Sequence, residues 1–255
     1  MKGKLVLLMT VLSIVFLGSI DFSDAATIDS SKASNGVVTI SHSAPGKKLK
    51  IIIEKAGKKY TYDLKNDGTA ESYPLQMGSG SYKIMVLENV SGTKYSPITT
   101  ETVNANIANG NSVYLNSIQN VNWSSSPNAV NKAKTLGGAN GIYDYVVKNV
   151  SYDFKKAATV QAGYNPSIDS TFSSKTGICY DYSALNGGMS RSLNVPTKLV
   201  KGYAKGVDGY HAWNEMFIDG KWVVVDTTYD SGMLSGKGKY TMVKNPSDYQ
   251  KVYEY

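Results

Sequence analysis

Short runs of alternating hydrophobic and polar residues fill the chain between residues 27 and 105. Tyr60, Tyr62 and Leu64 alternate with polar neighbours, as in a strand with one buried face. Segments rich in glycine, asparagine and serine separate the runs and are typical of turns. The six predicted strands are residues 37–41, 49–54, 60–64, 69–75, 82–88 and 98–103. Six short strands at this spacing predict a small antiparallel β-sandwich over residues 26–105.

The pattern changes after residue 105. Residues 106–126 are rich in Asn and Ser and contain few apolar residues, which predicts a linker, with one short strand at 113–118 as an alternative. Ser126 followed by Pro127 is typical of a helix start. Apolar residues at helical spacing from Ile142 to Val150 predict a second helix. We therefore predict an α+β fold, in which the sandwich precedes an α+β domain at residues 127–255. A late strand is predicted at residues 240–243 and is expected to complete the sheet of this domain.

A third helical pattern begins beside the only cysteine of the chain. The apolar residues on one face of this helix are Ile178, Tyr182, Leu185, Met189 and Leu193. Thr176 is a suitable N-cap, so Cys179 is expected in the first turn. Free backbone N–H groups and the helix dipole favour a thiolate there. A lone cysteine is also often a small buried apolar residue, and its position alone does not decide between the two interpretations.

A β-hairpin is predicted across Asp219-Gly220, because this dipeptide separates two β-rich runs. A two-residue turn fixes a register in which Asp226 lies opposite Trp213, with the second strand continuing to residue 228. His211 and Asp226 then share one face of the hairpin as diagonal neighbours, roughly 7–8 Å apart between backbones. A carboxylate side chain can span that distance to an imidazole nitrogen. The hairpin therefore predicts that Asp226 orients His211.

Cys179, His211 and Asp226 together fit a thiol-nucleophile triad. The imidazole would take the thiol proton, and the carboxylate would fix the imidazole tautomer and stabilise the imidazolium. The thiolate would then attack a carbonyl carbon. We therefore interpret the stretch from residue 176 to residue 229 as the candidate catalytic region.

Further motifs surround the triad in a specific order. They are Gly177-Ile178-Cys179 at a helix start, Leu193-Asn194-Val195-Pro196 at its end, Gly202-Tyr203 at a strand end, His211-Ala212-Trp213-Asn214, and the run from Trp222 to Thr228. In this order the chain resembles the transglutaminase-like superfamily, whose catalytic core is shared with papain-like thiol enzymes. The resemblance covers about residues 127–250. It suggests an exported bacterial-type protein with a transglutaminase domain.

The resemblance implies that Cys179 is the nucleophile, His211 the base and Asp226 the orienting acid. Members of the superfamily include transglutaminases, peptidases and related amide-acting enzymes, and some members are inactive. Peptide hydrolysis and glutaminyl acyl transfer therefore both stay open. The alternative is a catalytically silent module that binds the cell wall or another surface.

Several residues around the triad are predicted to shape a substrate cleft. The backbone N–H of Cys179 and the hydroxyl of Tyr152 are candidate oxyanion donors, although Tyr152 also fits a core aromatic residue. Trp213 and Asn214 are expected to line the cleft, with Trp213 mainly packing. Residues 155–175 lack periodicity, so we predict a long loop that forms one wall of the cleft, or a plain surface loop.

The first 25 residues have the pattern of a secretory signal peptide. Lys2 and Lys4 form the basic start, residues 5–20 form the apolar core, and Ser23-Asp24-Ala25 is a small-x-small cleavage site. Because the apolar core is short for a spanning helix, cleavage is favoured over a membrane anchor. We therefore expect a secreted or cell-surface protein that has no membrane association after cleavage.

The composition narrows the expected partners. The formal net charge is +7, with a concentration of lysines at residues 47–59. Solvated strand edges account for these lysines, and adhesion to an anionic wall polymer is the alternative. No motif indicates nucleic-acid binding, so the expected partner is a protein or peptide substrate, with association to the cell wall left open.

Cysteine and histidine counts limit the cofactors. One cysteine allows no internal disulfide, and two histidines with one cysteine cannot build the usual zinc site. We therefore predict no cofactor and no metal site. Scattered carboxylates leave a calcium requirement open.

Overall fold

The computed structural model describes residues 25–255 and the pair Ser13–Ile14. Nearly all of the predicted signal peptide, residues 1–25, lies outside the described residues. The chain divides into two compact units, one ending at Val113 and the other beginning at Tyr114. Each unit has its own secondary structure, and together they contain both α-helices and β-sheets.

The N-terminal unit consists of strands that form two sheets. The strands are β1 (Ser13–Ile14), β2 (Thr27–Asp29), β3 (Val37–Ser41), β4 (Leu49–Lys55), β5 (Lys58–Leu64), β6 (Glu71–Pro74), β7 (Gly80–Ser91) and β8 (Lys94–Ala105). One sheet has the order β1-β8-β7-β4-β5 and the other the order β2-β3-β6. All pairs are antiparallel except β1 with β8. All six strands predicted from alternation are present, whereas the arrangement as a sandwich stays a prediction.

The core of this unit explains why β4 is an inner strand of its sheet. Ile51, Ile52 and Ile53 are all buried, so both faces of β4 are covered. Ile52 packs in a cluster with Met85, Leu87 and Tyr95. A strand buried on both faces contains consecutive apolar residues, and β-branched side chains suit such a position.

The C-terminal unit combines helices with a five-stranded sheet. Its helices are α1 (Pro127–Ala133), α2 (Ala139–Asn149), α3 (Phe154–Thr159), α4 (Ile168–Ser174), α5 (Cys179–Ser192) and α6 (Thr227–Ser235). Its strands are β9 (Ser151–Tyr152), β10 (Thr176–Gly177), β11 (Thr197–Ala204), β12 (His211–Ile218), β13 (Lys221–Val225), β14 (Val243–Lys244) and β15 (Tyr249–Glu254). The main sheet is antiparallel with the order β14-β13-β12-β11-β15, and β9 pairs with β10.

Helix α5 is the buried helix of this unit, and two glycines allow its neighbours to approach closely. A Cβ atom on Gly188 would lie 2.4 Å from Cδ1 of Ile168, and one on Gly187 would lie 3.2 Å from Nδ2 of Asn214. Glycine is unfavourable inside a helix by about 1 kcal/mol relative to alanine. Here it is retained because a side chain at either position would collide with an adjacent element.

The segment predicted as a linker contributes buried side chains. Val113 is buried in the N-terminal unit, and Ile118 and Val121 are buried in the C-terminal unit. In the C-terminal unit, the carbonyl oxygen of Asn116 accepts a hydrogen bond of 2.8 Å from the buried guanidinium of Arg191. The few apolar residues of residues 106–126 are therefore part of the packed units.

Three local predictions are wrong. Residues 155–175 contain α3 and α4 instead of one long loop; the helices are too short to show periodicity, but Asp153 and Ser167 cap them. The strand predicted to reach residue 228 ends at Val225, because α6 starts at Thr227. The strand predicted at 240–243 is replaced by β14 and β15, which pair with distant strands.

No helix among the residues that the structure describes is long and apolar enough to cross a membrane.

Candidate active site

Helix α5 begins at Cys179, so the thiol lies in the first helical turn, as predicted. The predicted cap, Thr176, is wrong, because its hydroxyl donates to Oγ of Ser174. Ile178 occupies the N-cap position, and its backbone N–H donates to Oδ2 of Asp181 at 2.8 Å. An acidic side chain in the first turn satisfies a free N–H group and suits the positive end of the helix dipole.

Asp181 is fully buried and links the turn that carries Cys179 to the preceding segment. Its Oδ2 pairs with Nζ of Lys156 at 2.7 Å, and its Oδ1 accepts a hydrogen bond from the hydroxyl of Tyr164. Gly177 leaves room for this carboxylate, since a Cβ atom there would lie 2.5 Å from Cβ of Asp181. Residues 155–175 are therefore anchored to the start of α5 through one buried carboxylate.

The hairpin of β12 and β13 has the predicted register. Ile218 pairs with Lys221, and the ladder continues to Asn214 opposite Val225. Asp219 and Gly220 both have positive φ, at 50° and 77°, as a two-residue hairpin turn of this twist requires. The register brings the end of β13 beside the start of β12, where His211 lies.

Asp226 follows β13 directly and is the N-cap of α6. Its Oδ1 accepts a hydrogen bond from the backbone N–H of Tyr229 at 3.0 Å. Its Oδ2 lies 2.7 Å from Nε2 of His211 and also accepts a hydrogen bond from the hydroxyl of Tyr249 at 3.0 Å. His211 and Asp226 are 4 % and 0 % exposed, so this pair is shielded from water. The carboxylate is therefore held in place by three donors.

The thiol of Cys179 lies close enough to His211 to raise the pKa of the imidazole. Because Nε2 faces Asp226, Nδ1 is the ring nitrogen left for the thiol. The structure thus brings the three residues of the predicted triad together, in the order Cys179, His211, Asp226. Of these three residues, Cys179 is half-buried and Asp226 is fully buried.

The electrostatics of the pair favour an imidazolium. Burial by itself lowers the pKa of His211, but the adjacent Asp226 carboxylate and Cys179 outweigh it and raise the pKa to about 10. A histidine with this pKa is protonated at neutral pH. The carboxylate of Asp226 is the counter-ion on one side of the ring.

Tyr152 lies on β9 opposite Gly177 of β10, close to the start of α5. It is 36 % exposed, and its ring packs edge to face on Phe154 with centroids 4.9 Å apart. The alternative considered from the sequence, in which Tyr152 is a core aromatic residue, is therefore wrong. Partial burial, followed by the influence of Cys179, raises the pKa of Tyr152 to about 12. The hydroxyl therefore stays protonated at neutral pH and can act as a donor.

Trp213 and Asn214, which the sequence predicts to line the cleft, are both buried. The Trp213 ring stacks on His211 with centroids 6.2 Å apart and packs in a cluster that includes Tyr249. The Asn214 amide donates to the backbone carbonyl of Ser183 at 3.0 Å and so ties α5 to β12. Trp213 supports the imidazole, and Asn214 supports the contact between helix and sheet.

Two residues that support the site have no role in the sequence-based prediction: Asp181 at the start of α5 and Tyr249 beside Asp226. Asp181 was detectable in principle, because an acidic residue three positions after the N-cap is typical of a helix start. Tyr249 carried no such signal, since 23 residues separate it from Asp226 and only the pairing of β15 with β11 brings it there. Among the described residues, no group of three or more His, Cys, Asp or Glu side chains could hold a metal ion.

Residues 126–227 match the family model described as the transglutaminase-like superfamily. The chain carries a transglutaminase-like domain. The matched range includes Cys179, His211 and Asp226 and confirms the resemblance noted from the motifs.

Two curated relatives each match part of this chain. The Kyphoscoliosis peptidases of Mus musculus and Homo sapiens are each 29% identical over 116 residues. The match covers 41% of this chain and 17% of each relative, so it spans only a small part of those proteins.

Two solved structures have partial similarity to this chain. A protein from Cytophaga hutchinsonii, provisionally called a cysteine protease, has a TM-score of 0.43 and 15% identity, with 86% of each chain covered. A structure called a TGase has a TM-score of 0.34 and 17% identity, and covers 52% of this chain and 38% of its own.

Proposed function

We propose that the transglutaminase-like domain is an exported thiol enzyme that attacks amide bonds of a protein or peptide through an acyl-thioester on Cys179. The observation that carries the proposal is the buried pair in which Nε2 of His211 lies 2.7 Å from Oδ2 of Asp226, with the Cys179 thiol close enough to influence the same imidazole. The low exposure of His211 and Asp226 strengthens both contacts, because electrostatic interactions are stronger away from water. A structural cysteine needs none of these partners.

The proposed reaction has two steps. The Cys179 sulfur attacks the amide carbonyl carbon, an S–C bond forms, and the C–N bond breaks as the His211 imidazolium transfers its proton to the leaving amine. In the second step, His211 takes a proton from the incoming nucleophile, which attacks the thioester and releases Cys179. Asp226 holds the imidazole in one orientation through both steps and keeps its charge.

Two groups support the oxyanion of the tetrahedral intermediate in this proposal. The backbone N–H of Cys179 is a free donor at the N-terminus of α5. The hydroxyl of Tyr152 is the second donor, because its raised pKa keeps it protonated. Donors of this kind are typically worth about 3–4 kcal/mol in the transition state.

Hydrolysis is our first choice for the second step. The curated relatives, which match 116 residues of this chain, are named peptidases. Water is then the acyl acceptor, and the products are a carboxylic acid and an amine. Transfer to a lysine amine is the second choice, and the test below separates the two.

The proposed location is outside the cytoplasm, at the cell surface or in the medium. Residues 1–25 support it, because they combine a basic start, an apolar core and a small-x-small site. A chain with one cysteine can form no internal disulfide. This fact does not distinguish the cell surface from the medium. A protein or peptide substrate on the cell wall is compatible with the net charge of +7.

The first experiment measures the rate of iodoacetamide alkylation of Cys179 as a function of pH, in the mature protein and in His211→Ala. An ordinary cysteine titrates near pH ~8.5. We expect fast alkylation well below that pH in the wild type, and a shift toward the ordinary value in the variant. An ordinary titration that does not respond to His211→Ala contradicts the thiolate–imidazolium pair.

A second experiment follows the reaction itself. Peptide libraries are incubated with the enzyme in the presence and absence of a primary amine, and mass spectrometry separates hydrolysis from amine incorporation. Cys179→Ala is the control and should abolish both while leaving the circular dichroism spectrum unchanged. Wall binding that survives Cys179→Ala, with no turnover by the wild type, would favour the silent binding module.

A further inference from the structure

Lys201 contacts residues that are adjacent in sequence to Cys179 and His211, the two side chains proposed to react. On β11 it pairs with Ala212, while the adjacent residue Gly202 pairs with His211. Its Nζ lies over the ring of Tyr180, 3.5 Å from the ring centroid. Tyr180 directly follows Cys179 in α5. Through Ala212, Lys201 shares a face of the sheet with Asn214, whose amide donates to the Ser183 carbonyl of α5. The register and the ring contact therefore place the Lys201 ammonium group on the side of the sheet that carries the start of α5.

Lys201 has no carboxylate partner among the residues described here, which distinguishes it from another half-buried lysine of the same strand. Lys198 pairs with Glu215 at 3.5 Å and with Glu254 at 3.2 Å. Both lysines lie over aromatic rings, since Lys198 is 4.6 Å from the Trp222 centroid. The two lysines therefore differ in whether a carboxylate pairs with them. They do not differ in lying over aromatic rings.

The groups that face Lys201 come from three elements. Helix α5 contributes Cys179 and Tyr180, and the chain end after β15 contributes the ring of Tyr255, whose centroid lies 5.3 Å from Nζ. On either side of Lys201 in the sheet, its register partners are Ala212 on β12 and Tyr253 on β15, and His211 is one position further along β12. Within this set only the Cys179 thiolate can supply a full negative charge at neutral pH.

We propose that Lys201 is a positioning residue for Cys179, whose positive charge stabilises the thiolate beside the His211 imidazolium. This inference rests on the proposed function, in which Cys179 is the nucleophile. The faces of the Tyr180 and Tyr255 rings hold the ammonium group without neutralising it, because ring faces attract cations but carry no net charge. Lys201 does not exchange a proton with the substrate.

The protonation state of Lys201 changes within the physiological pH range. Burial lowers the pKa of Lys201 to about 7, and the electrostatic influence of Cys179 opposes this shift. Because the interaction between two charges is mutual, the proposal requires that a protonated Lys201 favours the thiolate form of Cys179. We therefore expect the support for the thiolate to be strongest below about pH 7 and to decline as Lys201 loses its proton.

The test is the pH profile of iodoacetamide alkylation in Lys201→Met and Lys201→Arg, with Lys198→Met as the matched control. A single charge within about 4–6 Å shifts a pKa by roughly 1 unit or more. We expect Lys201→Met to raise the thiol pKa by roughly 1 unit, which slows alkylation at acidic pH by roughly tenfold. Lys201→Arg should retain the wild-type profile, and Lys198→Met should leave it unchanged.

The outcomes separate this inference from the function on which it rests. A wild-type profile near that of a free cysteine contradicts the proposed function itself. A low thiol pKa in the wild type that is unchanged in Lys201→Met overturns only the role of Lys201.

A measurement on the wild-type protein tests the same inference if the Lys201→Met variant does not fold. The pKa of the Lys201 side chain is followed by NMR before and after Cys179 is alkylated. Because alkylation removes the thiolate, the Lys201 pKa should fall further. An unchanged pKa would also overturn the inference.

Discussion

The Tyr249 hydroxyl donates a hydrogen bond of 3.0 Å to Oδ2 of Asp226, the same oxygen that lies 2.7 Å from Nε2 of His211. The orienting acid of the proposed triad is therefore held from β15 as well as from the start of α6. Burial, together with the negative charge of Asp226, raises the pKa of Tyr249 above its ordinary value. The hydroxyl thus remains a donor at any pH at which the protein is folded.

Tyr249→Phe should weaken the site while keeping its fold. The change removes one charge-assisted hydrogen bond, which is typically worth about 1.5–3 kcal/mol. We expect a lower midpoint of urea unfolding and roughly tenfold slower turnover, because Asp226 loses one of its three donors. Tyr203→Phe is the control, since Tyr203 is 48% exposed and packs only on Tyr210 at its ring. Equal effects from both variants would contradict the role of Tyr249.

The free energy of unfolding should depend on pH through His211. The pKa of His211 is about 10 in the folded protein and ~6.5 when unfolded, so the folded state binds the proton more tightly. The resulting stabilisation, of the order of a few kcal/mol, is fully present below pH ~6.5 and is lost as pH rises to about 10. Urea titrations at a series of pH values across this window measure the decline.

Asp226→Asn is the matched variant for this pH dependence. The amide keeps the shape of the carboxylate but removes its charge, so the pKa of His211 should fall and the decline in stability between pH ~6.5 and 10 should flatten. Turnover should drop by roughly 10²–10⁴-fold, because the imidazole loses its orienting acid. An unchanged slope in the variant would show that other groups cause the pH dependence.

Asp181→Asn should disturb the start of α5. The wild-type carboxylate is fully buried and accepts contacts from the Ile178 N–H and from Lys156. Removing the charge leaves the Lys156 ammonium without its partner, and breaking a buried pair costs about 3 kcal/mol or more. We expect a lower melting temperature and slower alkylation of Cys179.

Asp144→Asn is the control for Asp181→Asn. Asp144 pairs with Lys148 on the surface of α2, and both side chains are about half exposed. We expect no measurable change in melting temperature, because water screens such pairs. A comparable loss of stability in the two variants would contradict the anchoring role of Asp181.

Gly202→Ala should prevent correct formation of the sheet beside His211. A Cβ atom at this position would lie 2.0 Å from the backbone oxygen of Gln250 and 2.9 Å from Cη2 of Trp213. Either the pairing of β15 with β11 or the Trp213 ring must move. We expect little folded protein in the soluble fraction and no turnover, measured by size-exclusion chromatography and peptide cleavage.

Gly232→Ala is the control for Gly202→Ala, at a position where an added Cβ atom has room. Gly232 lies within α6, and a Cβ atom there meets nothing within 4 Å. Alanine in a helix interior is favoured over glycine by about 1 kcal/mol. The melting temperature should therefore rise slightly, and a fall would contradict the packing described for this helix.

Local patterns in the sequence determined much of the candidate site. The Asp219-Gly220 turn set the register of β12 and β13, and that register brought Asp226 to His211. Apolar spacing placed Cys179 in the first turn of α5, although the cap predicted at Thr176 is wrong. Alternation located the six strands of the N-terminal unit. In each case the signal lies within a few residues of the structure that it specifies, so it can be read without knowing the fold.

Contacts between distant segments decided the rest. Tyr249 reaches Asp226 only because β15 pairs with β11, and Lys201 reaches Tyr180 only because α5 packs on the sheet. The Asp181 network joins three segments, and α3 and α4 depend on such contacts because helices of six and seven residues are not stable alone. A side chain's chemical environment is set by whatever the chain folds against it. The sequence by itself identified the residues proposed to react, and the tertiary structure alone decided which residues orient and charge them.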